Sequence, residues 1–423
     1  MSLLLGCFFY IIYRIFYKKV PELMLCVLLF INMEFFYLVP SYSGYWNYKL
    51  ILVPLLILIP LELILRGRMK MGSGGGLALL FFALLYLGVI IAYSHGQSFS
   101  FGLKAIKFQL LWLSYFLVIN QDIDIEKFSK FFILLCVLLV AIIFANIHIF
   151  DGRLISEDMR ERYMQERLGN LRFGMGAQFI SIGCVMAFTR YLKHRSWWDI
   201  GFSIILISHL LFIAQSRMIV FGVILTCMAM HMITSRLTPK KLVITAVLIC
   251  FMVPATMIFG YAIKSFGLVK ITIEDISKKK NNYTARIDAY DYYIGRIMAS
   301  PIFGYGYESE NWEGSPVKKL MEKGLFAADI GITEFFYNNG LIGLIWFLCI
   351  SLLIFKYCKA VRYAYPEIVC FFFLAYSTII TLDYLFHQSK IFLFGLFFGL
   401  AVKYYSKMQA TEEIENGCLH HHR

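Results

Sequence analysis

The sequence predicts an all-α polytopic membrane protein with about 12–13 transmembrane helices and a long outer loop, and three observations predict it. Of the 423 residues, 60% are hydrophobic and 16% charged, and the mean hydropathy is +0.69. Soluble domains lie nearer roughly half apolar and a quarter charged. The apolar residues come in continuous runs of roughly 15–22, about the length an α-helix needs to cross a hydrocarbon core. These runs do not alternate in polarity, as the shorter strands of a membrane barrel must.

In chain order the runs fall near residues 3–17, 20–39, 49–65, 77–93, 101–119, 130–150, 173–189, 199–214, 218–234 and 242–262, then 329–355, 367–385 and 390–405. The first is short for a span. It lacks the basic start and the small-residue cleavage site of a signal peptide and is followed by Lys18 and Lys19. The chain thus divides into ten spans over 1–262 with an outer loop at 151–172, a large outer loop at 263–328, three closing spans over 329–405 and a tail at 406–423.

Charge sets the expected orientation. With the carboxyl end cytoplasmic, the inner connections collect Arg14, Lys18, Lys19, Arg66, Arg68, Lys70, Arg190, Lys193, Arg195, Arg236, Lys240, Lys241, Lys356, Lys359 and Arg362. The short outer ones keep Lys49, Lys104, Lys107, Arg217 and Lys390, the asymmetry of the positive-inside rule. The formal charge of +13 is therefore a topology signal. Basic residues scattered over many loops do not form a nucleic-acid surface. The ten cysteines lie mostly inside spans and neither outer loop has one, so no disulfide framework is expected. The nine histidines form no HExxH and no zinc-type spacing, so no metal or other cofactor is expected.

Both outer loops are too long to be turns. The first, DGRLISEDMRERYMQERLGNLR, carries Arg and Glu at helical spacings that predict a short surface helix. The second contains ARIDAYDYYIGRIMASPIFGYG, in which Arg286, Tyr290, Tyr293 and Ile297 share one helical face. Pro301 ends that helix, and Gly304 and Gly306 allow a tight turn. A solvated amphipathic helix with a generic turn would read the same way.

Arg217, in AQSRMIV, stands where one span leaves the membrane and the next enters. It reads as a snorkelling anchor or as a fork of donors for a phosphate. At the re-entry AADIGITEFFYNNGLIGLIWF, Asp329, Thr333 and Tyr337 fall at i, i+4 and i+8, with Glu334 and Asn338 one position round. Asp329 reads equally as a helix cap. Glu34 and Asp383 near outer span ends, and the aromatics Tyr37, Tyr42, Tyr45, Trp46 and Tyr48, fit an interfacial belt.

Ser216-Arg217, then Arg286 with an aromatic four residues on, then PIFGYG at 301–306 and NNGLIGL at 338–344, in this order around a long outer loop, resemble the O-antigen ligase and polymerase superfamily. The likeness covers roughly residues 150–355. It implies a membrane glycosyltransferase of the multi-spanning GT-C type in the bacterial inner membrane, facing the periplasm. Such an enzyme uses an undecaprenyl-diphosphate-linked oligosaccharide without nucleotide sugar or metal. On that resemblance Arg217 and Arg286 hold the lipid diphosphate, Arg172 joins them, and Tyr290, Tyr305 and Tyr337 contact sugar. The cations would stabilise charge developing on the departing diphosphate. A general base would take the proton of the acceptor hydroxyl. The partners implied are the lipid-linked glycan, the bilayer and a chain-length regulator protein, with no nucleic acid.

The chain departs from the ligase pattern at the base. Ligases carry a His-Asn pair about eleven residues before the Gly of the closing motif, and that count back from Gly340 lands on Asp329. Exopolysaccharide polymerases resemble H-S-D-x-G there, against Ala327, Ala328, Asp329, Ile330 and Gly331 here. The resemblance therefore leans to a polymerase, with Asp329 as base and Glu334 as runner-up. The alternatives are a ligase that moves glycan onto a lipid core, and a flippase or transporter of lipid-linked sugar. No internal halves are found that would favour transport.

Overall fold

The computed structural model describes Phe8, Tyr10, Ile11 and residues 21–33, 52–150, 164–167, 170–234, 282–323, 325, 330–380, 385–386 and 390–420. Among these residues the protein is an all-α polytopic membrane protein with one small hairpin. Helices α1 (Pro21–Asn32), α2 (Leu52–Leu65), α3 (Gly75–Ser94) and α4 (Phe99–Ile106) lead to a 3-10 turn at Gln109–Leu113. Then come α5 (Ser114–Ile119), α6 (Ile125–His148), strands β1 (Met164–Arg167) and β2 (Asn170–Phe173), and helices α7 (Ala177–His194), α8 (Trp197–Phe212) and α9 (Arg217–Thr234). The chain closes with α10 (Asn282–Ala299), α11 (Pro316–Glu322), α12 (Ile332–Val361), α13 (Pro366–Ser377) and α14 (Ile391–His420).

Four described helices are long and apolar enough to cross a membrane, at Gly75–Ser94, Ile125–His148, Ile332–Val361 and Ile391–Glu413. Segments α1, α2, α8, α13 and Met218–Thr234 are shorter apolar helices. The expected runs at 3–17 and 242–262, Glu34, Asp383 and the Tyr37–Tyr48 aromatics lie outside the described residues. On α12 the exposed large apolar side chains Leu341, Ile345, Leu348, Leu352 and Phe355 follow one another at helical spacing, and the exposed lysines Lys356 and Lys359 come only towards the helix's carboxyl end. Water would not tolerate such a face, and lipid requires one.

The chain forms two compact units, one from residues 1–36, 45–132 and 289–423 and the other from 37–44 and 133–288. In the first unit the start of α14 is the central rod. Phe392, Phe394, Phe397 and Phe398 are all fully buried, and Phe394 and Phe398 pack on Trp112 at 4.7 and 5.9 Å between ring centres. Close approach explains Gly395, where a Cβ would lie 2.5 Å from Ser114 Oγ and 2.7 Å from the Trp112 carbonyl. Ser114 Oγ then donates to the Phe392 carbonyl at 2.7 Å. In the second unit α7 packs on α8, and Arg190 of one pairs with Asp199 of the other, both buried, at 3.4 Å.

Of the segment 151–172, where a short surface helix is expected, residues 151–163 lie outside the described residues, while 164–167 and 170–173 form two antiparallel strands in which Met164 faces Phe173 and Gln165 faces Arg172. Charge spacing alone favoured a helix, but Phe173 is buried and its N–H donates to the Ile213 carbonyl at 3.0 Å, a long-range bond that extended backbone can make. The expected span at 101–119 is bent by 48° between α4 and the 3-10 turn, where Lys104 and Lys107 interrupt the apolar run. Asp329 lies outside the described residues; α12 starts at Ile332 with Gly331 in the N-cap position. Gly331 has φ +55°, and the Ile332 N–H donates to the Ile379 carbonyl at 2.9 Å.

The feature that positions the site is a break inside α12. Gly340 adopts φ 56° and ψ −149°, so the helix is two pieces meeting there. The break frees backbone groups that the membrane would otherwise leave unpaired, and the PIFGYG segment pairs them. Leu341 N–H donates to the Pro301 carbonyl at 2.8 Å and Ile342 N–H to that of Ile302 at 3.3 Å. In exchange Tyr305 N–H donates to the Tyr337 carbonyl at 2.9 Å and Gly306 N–H to that of Asn338 at 3.0 Å. The loop is wedged so tightly that a Cβ on Gly304 would sit 2.4 Å from the Tyr337 carbonyl oxygen. On the other side Tyr307 N–H donates to the Gly88 carbonyl of α3 at 3.2 Å.

Candidate functional site

The wedged loop is locked one step further by Gln97, a buried side chain just after α3. Its Nε2 donates to the Tyr307 carbonyl at 3.0 Å and its Oε1 accepts from Ser309 N–H at 2.6 Å. Asn339 of α12 adds a bond from Nδ2 to the Tyr307 hydroxyl at 3.1 Å. Glu308 lies between these fixed points, so its backbone has little freedom.

Around Glu308 the side chains form a layered aromatic and charged cluster. Tyr337 of α12 donates its hydroxyl to Glu308 Oε2 at 2.8 Å. Tyr305 stacks on the Tyr337 ring at 5.3 Å and 14°, and the Arg296 guanidinium of α10 covers the other ring at 3.8 Å. Tyr293 of α10 meets Tyr337 edge-on at 4.9 Å, and the His95 ring lies 5.3 Å from that of Tyr305. Burial raises the Glu308 carboxyl above its ordinary value, while the Tyr337 hydrogen bond, Arg296 and His95 pull it back. Burial also pushes the Tyr293 hydroxyl up.

Glu308 and Tyr337 line a cavity of about 350 Å³. Glu310, Asn311 and Glu334 also face it, as do Lys104, Lys107 and Gln109 from the end of α4 and the bend after it. Two polar atoms of its lining residues, Tyr293 Oη and Gln109 Oε1, are buried without a hydrogen-bond partner among the described residues. Such orphaned groups are costly in a folded protein and are expected where a polar ligand completes them. Among the described residues no three His, Cys, Asp or Glu side chains come close enough together to hold a metal ion. The arrangement can bind a polyhydroxylated molecule, accept its protons on carboxylates and neutralise an anionic substituent on the lysines.

Of the residues singled out in the sequence, Glu334 and Tyr337 line the cavity and Tyr305 lies beneath Tyr337. Tyr290 packs at the edge of the same core and donates its hydroxyl to the Ile380 carbonyl. Arg172, in the other unit, donates Nε to the Ala214 carbonyl at 3.0 Å, which brings it to the turn that opens α9 on Arg217. Arg286 is half-buried in the first turns of α10. Asp329 and the Arg217 side chain lie outside what the structure describes. The sequence reading missed Glu308, Arg296 and Gln97. Only the position of Glu308 just after PIFGYG hinted at it, and Lys104 and Lys107 had registered as loop charge alone.

A polytopic helical membrane protein with a polar, carboxylate-lined cavity is thus the class that fold and site define. Residues 202–348, a stretch that holds most of the cavity's lining residues, match the family model described as O-antigen ligase, which supports a likeness to the O-antigen polymerase and ligase superfamily. Enzymes of that family carry out glycosyl transfer. No curated protein matches the chain.

Proposed function

We propose that the protein is a polymerase of O-antigen or exopolysaccharide type, joining undecaprenyl-diphosphate-linked oligosaccharide repeat units by metal-independent glycosyl transfer at the periplasmic face of the inner membrane. The cavity that gathers Glu308, Glu310, Glu334 and Tyr337 together with two lysines carries this reading. In the reaction an acceptor hydroxyl gives its proton to a carboxylate and its oxygen attacks the anomeric carbon of the donor sugar. The bond from that carbon to the diphosphate breaks, and its electron pair leaves on the diphosphate oxygen. Arg172, Arg217 and Arg286 neutralise that charge. Asp329 and Glu334 are the candidate bases, and Glu334 stands on the first turn of α12.

A transporter would use a broken helix to expose backbone groups to its cargo. Here the groups freed at Gly340 are taken by the PIFGYG segment, which supports an enzyme instead. The description of the matched family as a ligase favours a second reading, transfer of the glycan to a lipid core. Purified protein incubated with a lipid-linked repeat unit alone separates the two. A ladder of products is expected, because only a polymerase uses the unit as both donor and acceptor; single-turnover transfer that needs an added lipid core would overturn the polymerase reading.

A further inference from the structure

We infer that Glu308 is the general base that deprotonates the acceptor hydroxyl, with Tyr337 and Arg296 as its positioning residues; this rests on the glycosyl-transfer reading above. Geometry carries the inference. A base must be fixed within hydrogen-bond reach of an open site, and one oxygen must stay free to take the proton. Glu308 is the cavity carboxylate whose backbone is pinned on both sides, by Tyr307 N–H on Gly88 and by Ser309 N–H on Gln97. Its Oε2 accepts from Tyr337, and its Oε1 has no partner among the described residues while the residue faces the cavity. Tyr293 and Gln109, whose Oη and Oε1 are buried without a hydrogen-bond partner among the described residues, line the same cavity.

The step balances. The acceptor O–H proton passes to Glu308 Oε1 as the new glycosidic bond forms, the diphosphate leaves with the bonding pair, and the carboxylic acid returns its proton to water. The groups that set the basicity of Glu308 come from four directions. Tyr337 and Glu334 face it from α12, Arg296 and Tyr293 from α10, and His95 from the end of α3. Lys104 and Lys107 line the same cavity, and Glu310 shares its loop. Burial raises its proton affinity towards the working pH, the direction a base needs.

The test uses the full-length protein in lipid nanodiscs with a defined lipid-linked repeat unit, and follows product and KM across pH. Wild type must first form glycan product; if it forms none from donor plus any acceptor, the glycosyl-transfer reading itself fails. Given an active wild type, Glu308→Gln, which keeps the Tyr337 bond, should lower kcat by at least about 100-fold with KM unchanged. Glu308→Asp should retain partial activity. Tyr337→Phe removes a bond that favours the ionised carboxylate, so the acid limb of the pH–rate profile should move up by about half a pH unit or more while the plateau stays within about tenfold. Full activity of Glu308→Gln overturns the inference. So does an acid limb unmoved in Tyr337→Phe, which decides the matter if Glu308→Gln fails to fold.

Discussion

Replacing Gly304 by Ala tests whether the wedge of PIFGYG into the broken α12 holds the site together. Gly304 has φ +70°, which costs an L-residue about 1–2 kcal/mol. The added Cβ would also sit 2.4 Å from the Tyr337 carbonyl oxygen, 2.8 Å from Gly340 N and 2.9 Å from the Asn338 carbonyl carbon. All three are backbone atoms and none can swing away, so the loop must move. That movement loosens the four exchanged backbone bonds between residues 301–306 and 337–342, each contributing about 0.5–1.5 kcal/mol. The total loss is about 3–8 kcal/mol, a large part of the roughly 5–15 kcal/mol that holds a typical protein folded. At about 2 °C per kcal/mol this lowers the melting temperature of the purified protein by roughly 6–16 °C. Gly201→Ala in α8 is the control, since a Cβ there meets nothing within 4 Å. It should be neutral or stabilise by about 0.5–1 kcal/mol through helix propensity. If Gly304→Ala melts with wild type and still makes product, the wedge does not organise the site.

Other outcomes follow from the same geometry. Gln97→Ala removes both clips on Tyr307 and Ser309, so kcat should fall by about tenfold or more with little change in KM, read by steady-state kinetics. Arg217→Ala and Arg286→Ala, at normal expression, should abolish polymer in a gel of extracted polysaccharide; a normal ladder from both removes the diphosphate clamp. Lys104→Ala with Lys107→Ala should raise KM for the lipid-linked donor several-fold and weaken its dependence on salt. Because the folded-state pKa of Glu308 lies above its unfolded value, ionised Glu308 costs the folded state stability as pH rises through that raised pKa. Glu308→Gln should therefore melt higher than wild type at pH 7, and the gain should shrink as pH falls and vanish below about pH 3, where the wild-type carboxyl is protonated in both states.

Much of the architecture was legible before any coordinates. Runs of apolar residues predicted helices that the structure places at α3, α7, α8, α9, α12 and α14, because lipid demands the same local pattern wherever a helix crosses it. Pro301 after a helical face predicted the end of α10 at Ala299, a constraint of covalent geometry. Residues 202–348 proved to carry the family domain that the motifs pointed to.

What local pattern could not specify is which distant groups would meet. The strands at 164–167 and 170–173 are tied by bonds to Ile213 and Ala214, about forty residues away, which charge spacing does not reveal. Asp329, picked by counting back from Gly340, lies outside the described residues, and Glu308, which no count or motif singled out, is brought to the cavity by a loop threaded into a gap in α12. The sequence by itself determined a membrane-spanning helical chain and the two glycine motifs, since burial of apolar surface and backbone sterics act over a few residues. Only the tertiary structure decided that those motifs pair with each other through backbone bonds left open at Gly340. That pairing mounts a carboxylate over a polar cavity, because unsatisfied N–H and C=O groups at membrane depth must find partners wherever the fold supplies them.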